Sequence, residues 1–218
     1  MRISNLKAFV LPLALALVSG VAASAQIVAD GNFNWSDSGS PGTYYYAGSS
    51  ALPSDWTFVA GTGIQTYPSA WGFSPAPGSP QSAFIQNGYE TAGSTISQTV
   101  NLTPGDYYTL TFYLEQRPGY GADPISVTIG GDTLFSSITP PDNDTWTKYT
   151  VTFEATSTSE LLTFAGLGGT TKDNGTGLAD VSIHVVPEGG ASSAYLLFAG
   201  LVCFGAIFTS RKGLANRA

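Results

Sequence analysis

The chain reads as an all-β protein whose strands pack as a two-sheet sandwich. Three observations predict this. Apolar and polar residues alternate at period two through most of the chain. The alternating runs are short and are separated at roughly regular intervals by Gly- and Pro-containing turns, the pattern of a sandwich or barrel. Outside the two ends, no long run follows the helical period, and no internal repeat is visible. Composition agrees: 26 Gly, 12% aromatic and only 11% charged residues suit an exported β-rich domain.

Taken in order, short apolar runs at 27–29, 56–60, 64–67 and 83–86 predict the first strands. Residues 33–52 are rich in Gly, Ser and Tyr and read as a surface loop. Ile96, Gln98, Val100 and Leu102 share one strand face, and Pro104-Gly105-Asp106 turns the chain. The clearest strand follows, with Tyr108, Leu110, Phe112 and Leu114 on one side and Tyr107, Thr109, Thr111 and Tyr113 on the other. Ile125, Val127 and Ile129 make the next, ended by Gly130-Gly131-Asp132. Tyr149, Val151 and Phe153 alternate after it, then Leu162 and Phe164, and finally Val181, Ile183 and Val185. Trp56 and Trp146 fall in strand motifs and read as core.

The two ends carry a different signal. Residues 1–25 read as a signal peptide: Arg2 and Lys7 precede an apolar run, and Ala23-Ser24-Ala25 is a cleavage site that leaves Gln26 first in the mature chain. An uncleaved anchor fits less well, because the run is short and holds Pro12. At the other end, residues 187–190 lead into an apolar run over 191–209. At about 1.5 Å per residue that run nearly spans a hydrocarbon core of about 30 Å. Residues 210–218 follow, with Arg211, Lys212 and Arg217 placed to stay on the cytoplasmic side. Residues 26–186 remain as one domain of about 160 residues, large enough for a core of its own.

Charge and cysteine content exclude several functions. Between residues 26 and 186, three cations, Arg117, Lys148 and Lys172, stand against fourteen acids, which argues against nucleic acid or anionic lipid as a partner. The sole cysteine, Cys203, lies in the apolar tail, so the domain has neither a disulfide nor a thiol nucleophile. His184 is the only histidine and alternates outward, so triad and His-rich zinc chemistry have no basis. Glu90, Glu115, Glu154 and Glu160 offer carboxylates, but the sequence pairs no two of them as a glycosidase requires. The domain is therefore expected to be non-catalytic. Trp35, Tyr44, Tyr45, Tyr46, Trp71, Tyr89 and Tyr120 sit in loop-like sequence and are the candidate sugar-stacking rings, with caps over the sandwich ends as the alternative.

Two resemblances rest on these motifs. Val186-Pro187-Glu188-Gly189, the apolar run and the basic end resemble the PEP-CTERM class of bacterial sorting signals and its VPxxG-type variants, with Gly189 in place of the second proline. That resemblance implies an exosortase-type transpeptidase as partner and a membrane-anchored precursor. It further implies delivery to the cell envelope, the outer surface or an exopolysaccharide matrix. An ordinary, unprocessed C-terminal anchor is the alternative.

The domain resembles galactose-binding-like jelly rolls, which include many carbohydrate-binding modules. The likeness lies in Asp30-Gly31-Asn32-Phe33-Asn34, Pro53-Ser54-Asp55-Trp56, residues 96–112, residues 146–153 and Ala179-Asp180-Val181. It implies that no cofactor is required, that a glycan or exopolysaccharide is a partner, and that Asp30 and Asp180 are candidates for a structural Ca²⁺. The acids usual in that family are replaced at Asn34 and Ala179. A structural surface protein without glycan binding and a glycan-active hydrolase are the competing readings.

Overall fold

A computed structural model describes residues 26–34, 41–86, 93–168 and 173–187. Ala23, Ala25, Trp35, Tyr89, Glu188, Gly189, Arg211, Lys212 and the run 191–209 lie outside the described residues. Within them the chain forms β1 (Tyr44–Tyr46), β2 (Thr57–Val59), β3 (Thr62–Thr66), β4 (Gln81–Ile85) and β5 (Thr95–Asn101). The series continues with β6 (Tyr107–Gln116), β7 (Ile125–Ile129), β8 (Asp132–Ile138), β9 (Thr147–Glu154), β10 (Ser159–Gly166) and β11 (Thr176–Val185). All ladders are antiparallel. One sheet runs β1-β3-β4-β11-β6-β9 and the other β2-β5-β10-β7-β8. The domain is a two-sheet jelly-roll sandwich, and no helix occurs among the described residues.

The alternation sets the layers. Tyr108, Leu110, Phe112 and Leu114 of β6 face inward and are buried. They meet Ile96 and Val100 of β5, Ile125, Val127 and Ile129 of β7, and Leu162 and Phe164 of β10 in one core. Phe112 lies at the centre, with ring centroids 5.2 Å from Phe164, 5.6 Å from Tyr149 and 5.9 Å from Phe135. Gly130 and Gly131, at φ 58° and 99°, make the primed two-residue turn that joins β7 to β8.

Two expectations need correction, and one strand was not foreseen. Residues 33–52 are not all loop: Tyr44–Tyr46 pair with β3 as an edge strand. Residues 27–29 form no strand, because a side chain takes the place of a partner strand. Gln98 accepts from Ala29 N at 2.8 Å and donates to Ala29 O and Asp55 O, both at 2.9 Å. Finally, β8 has no counterpart in the alternation. Leu134-Phe135 and Ser136-Ser137 break period two, and its ladder with β7 is correspondingly irregular.

The opening segment is sealed to the closing strand. Val181 N donates to Gly31 O at 2.8 Å, and a Cβ on Gly31 would stand 1.8 Å from Val181 O, so only glycine fits. Asp30 and Asp180 flank this seam, both with left-handed backbone at φ 42° and 46°, and β11 bulges between Ala179 and Ser182. Trp56 is core as expected; its Nε1 donates to Asp30 O at 3.1 Å. Trp146 instead sits half-buried outside the sandwich, in a second cluster with Trp71, Phe73 and Phe84.

Candidate functional site

The second cluster builds the site, on the outward face of the six-stranded sheet. Tyr46, Gly63, Phe84, Gly177 and Glu115 stand in one row across five strands. The two glycines make room for rings. A Cβ on Gly63 would come 2.7 Å from the Phe84 ring, and one on Gly177 would come 2.7 Å from Trp146 and 2.8 Å from Phe73. The β3–β4 loop folds over this row and lays Trp71 against Phe84, with centroids 4.2 Å apart.

Glu115 holds that loop down. Both of its carboxylate oxygens accept from Ser74 N at 3.1 Å, while Ser74 O accepts from Trp146 Nε1 at 3.2 Å and Ser74 Oγ donates to Asp144 O at 2.8 Å. Burial pushes the Glu115 carboxyl above its ordinary value, against the Ser74 hydrogen bond and with a smaller push from Asp144. A carboxyl raised in the fold favours the folded state below its unfolded pKa, and that contribution is lost as pH rises through the folded value. Between about pH 4 and pH 7, wild-type stability is therefore expected to fall relative to Glu115→Gln, which keeps an oxygen for Ser74 N. Denaturant unfolding of both proteins at the two pH values checks this; parallel profiles would refute it.

Beside Trp71 the strand ends converge. Arg117, in the turn after β6, lies between two rings, with its guanidinium carbon 4.8 Å from the Trp71 centroid and 3.9 Å from that of Tyr120. It pairs with Asp173 Oδ2 at 2.8 Å and donates from Nη1 to Asp173 O at 3.0 Å. Stacking compensates for a guanidinium whose Nε has no hydrogen-bond partner. Gln86 donates to Asp173 Oδ1 and accepts from the Tyr46 hydroxyl. Tyr44 closes the group, 5.5 Å from Trp71 and 5.6 Å from Tyr46.

Four of the predicted rings are therefore brought together: Tyr44, Tyr46, Trp71 and Tyr120. Trp71 differs from expectation, because it is only 9% exposed and serves as the floor, while Tyr44, Tyr46 and Tyr120 are 44%, 39% and 51% exposed and form the rim. Tyr45 points the other way and packs on the sandwich core, as alternation on a strand requires. An open depression of about 260 Å³, lined by Gln116, Gly119, Tyr120, Gly121 and Asp142, adjoins the Tyr120 end. Sequence reading missed Arg117, Gln86 and Asp173. Arg117 carried a usable signal, being one of three cations in an acidic domain and lying in a Pro/Gly turn directly after the clearest strand.

The other candidates lie elsewhere. The Asp30 carboxylate accepts from Asn34 N at 2.9 Å and caps its own turn, and Asp180 lies beside Gly78. Among the described residues no three His, Cys, Asp or Glu side chains converge for a metal. Glu160 accepts from Thr156 N at 2.6 Å and Ser157 N at 2.8 Å, so it fixes a turn in the other sheet. His184 is exposed, as expected.

A family model described as protein of unknown function, DUF642, matches residues 26–177. The chain belongs to the DUF642 family. The match begins at the residue expected to open the mature chain, ends inside β11 and contains every side chain of the platform. No curated protein matches this DUF642 chain. Among solved structures, the arabinose-bound α-L-arabinofuranosidase MgGH51 is similar at TM-score 0.51 and 14% identity, over 74% of this chain and 26% of that one. The enzymatically active domain of tailspike protein 4 from bacteriophage CBA120 gives 0.42 and 16%, over 61% and 20%. A xylan-binding domain from Paenibacillus barcinonensis gives 0.44 and 14%, over 69% and 99%. The DUF642 chain thus spans about a quarter of the arabinofuranosidase and a fifth of the tailspike domain. At 14% identity the likeness to the arabinofuranosidase is one of fold.

Proposed function

We propose that this DUF642 domain is a non-catalytic carbohydrate-contact module of an exported envelope or extracellular-matrix protein. The observation that carries the reading is the platform of Tyr44, Tyr46 and Tyr120 around Trp71 and Arg117. Exposed rings offer flat apolar faces to a sugar ring, and fixed polar groups beside them offer hydrogen bonds to hydroxyls. The Arg117 charge is met by Asp173 and the domain as a whole is acidic, which favours a neutral glycan over a polyanion. The buried glutamates Glu115 and Glu160 are committed to backbone N–H groups on separate sheets, which supports binding over hydrolysis.

The expected test result is retardation of the purified protein in gels containing neutral polysaccharide. Tyr44→Ala and Tyr120→Ala should each weaken binding by about tenfold, as truncation of an interface aromatic does. A protein retarded by no neutral polysaccharide would sink the reading and favour a purely structural surface protein.

Export and sorting complete the proposal. The signal-peptide pattern and the sorting motif support it, together with the way the fold ends. Val186 N donates to Tyr107 O at 2.7 Å, and the chain leaves the domain at the exposed Pro187. Signal-peptide cleavage before Gln26 and an exosortase-type transpeptidase acting near residues 187–190 would together leave a mature chain from Gln26 to that motif, which intact mass and fractionation from the native host test. Recovery of the 191–218 tail in the membrane fraction would overturn processing. A structural Ca²⁺ at Asp30 and Asp180 stays a proposal, one that needs carbonyl donors to complete its oxygen shell. Calcium titration of the thermal midpoint decides it.

A further inference from the structure

The outer edge of β9 has no strand paired to it among the described residues. Of the four sheet edges it is the longest and straightest. β1 and β2 have three residues each, and β8 breaks its register twice, whereas β9 runs eight residues in unbroken register with β6. It contains neither Pro nor Gly. An edge of this kind presents a row of backbone donors and acceptors ready for another strand.

Its side chains are self-complementary about the centre of the strand. Lys148, Thr150, Thr152 and Glu154 face outward and are exposed, while Tyr149, Val151 and Phe153 face the sandwich, the first two half-buried. Place a second β9 antiparallel to the first, with the two-fold axis at Val151. Lys148 then stands opposite Glu154 twice, Tyr149 opposite Phe153 twice, Thr150 opposite Thr152 twice, and Val151 opposite itself. Opposite charges and aromatic or hydroxyl pairs directly across two strands are the favourable combinations. No neighbouring register does this. An axis moved by half a residue sets Lys148 against Phe153, on the wrong face, and an axis moved to Thr150 or Thr152 loses both charge pairs.

The two charges do not pair within one copy. Lys148 and Glu154 lie about 20 Å apart along the strand, at about 3.3 Å per residue, so they do not reach each other within one copy. Among the described residues the one ion pair is Arg117–Asp173, and Lys148 is the other cation. Among the described residues, the one Lys or Arg outside an ion pair stands opposite a carboxylate of β9 only in that register.

We propose that the protein forms a two-fold dimer through antiparallel β9–β9 pairing centred on Val151. The six-stranded sheets of two copies then join as one sheet of twelve. The interface is isologous, so it closes at two copies. It lies at the opposite edge of the sheet from β1 and Tyr44–Tyr46, and it stands or falls independently of glycan binding.

Sedimentation velocity of the full chain in detergent, from about 1 µM to about 1 mM, tests it, a span covering dissociation free energies of about 8 to 4 kcal/mol. The wild type should pass reversibly from monomer to dimer. Lys148→Glu and Glu154→Lys should each be monomeric throughout, since every facing pair becomes like-charged. An equimolar mixture of these two variants should dimerise, because each then presents the other with opposite charges. That recovery also shows both variants to be folded. A wild type that stays monomeric, a Lys148→Glu dimer as tight as wild type, or a mixture that fails to pair would each overturn the proposal.

Discussion

Trp71→Ala is expected to cost the domain about 3–5 kcal/mol and to abolish carbohydrate retention in the same step. The ring is almost wholly enclosed and touches the site from every side, with Phe84 at 4.2 Å, Tyr44 at 5.5 Å, Tyr46 at 6.1 Å and the Arg117 guanidinium at 4.8 Å. Removing it opens a cavity that the β3–β4 loop, pinned at Ser74 by Glu115, is poorly placed to fill. Arg117 loses one of its two stacking faces, and the rim tyrosines lose their floor. Trp71→Phe should recover most of the stability but only part of the binding, because the smaller ring leaves Tyr44 unsupported. Urea unfolding and gel retardation of the two variants separate these effects. A loss under about 1 kcal/mol for Trp71→Ala would show that the loop is held without it.

Gln98→Leu is expected to cost about 2–4 kcal/mol, through hydrogen bonding instead of volume. The amide satisfies Ala29 N, Ala29 O and Asp55 O at once. Leucine fills a similar space and removes the partner of three part-buried backbone groups, each bond worth about 0.5–1.5 kcal/mol. Residues 26–34, which are hydrogen-bonded to the sandwich through this amide, the Gly31–Val181 bond and the Trp56 Nε1–Asp30 O bond, should then lose hydrogen-exchange protection before the sheets do. Uniform protection across Ala29 and Phe112 in the variant would refute the clamp.

Gln98 also shows what was legible in the sequence and what was not. Its inward position was readable from Ile96, Val100 and Leu102, because period two assigns faces whatever the residue. Its purpose was not, because a polar residue in a core stripe gives no sign of the backbone it serves sixty-nine positions away. The strands with regular alternation, β5, β6, β7, β9, β10 and β11, were all predictable, since each turns one clean side to a single core.

β1 was hidden because three consecutive tyrosines do not look like alternation, although Tyr45 turns inward and its neighbours outward. At the site, the aromatic residues were visible by composition, but their sorting into floor and rim was not. Trp71 is covered because Gly63 and Gly177, on strands far apart in sequence, let Phe84, Phe73 and Trp146 lie flat on the sheet. Arg117, Gln86 and Asp173 meet only because β4, β6 and β11 are adjacent in the sheet and end at the same side.

The position of β11 has a mechanical consequence. The chain leaves the fold from the Val185 end of this strand, and the platform gathers at its Thr176 end, beside Asp173. Tension between a ligand held at the platform and the downstream chain would therefore run lengthwise along β11. That strand lies inside the sheet, bonded to β4 on one side and β6 on the other. A pull in this direction strains many ladder bonds together instead of opening them one after another. A domain that held a glycan here and was tethered downstream would thus be loaded in shear, along the axis on which a β-sheet is hardest to part.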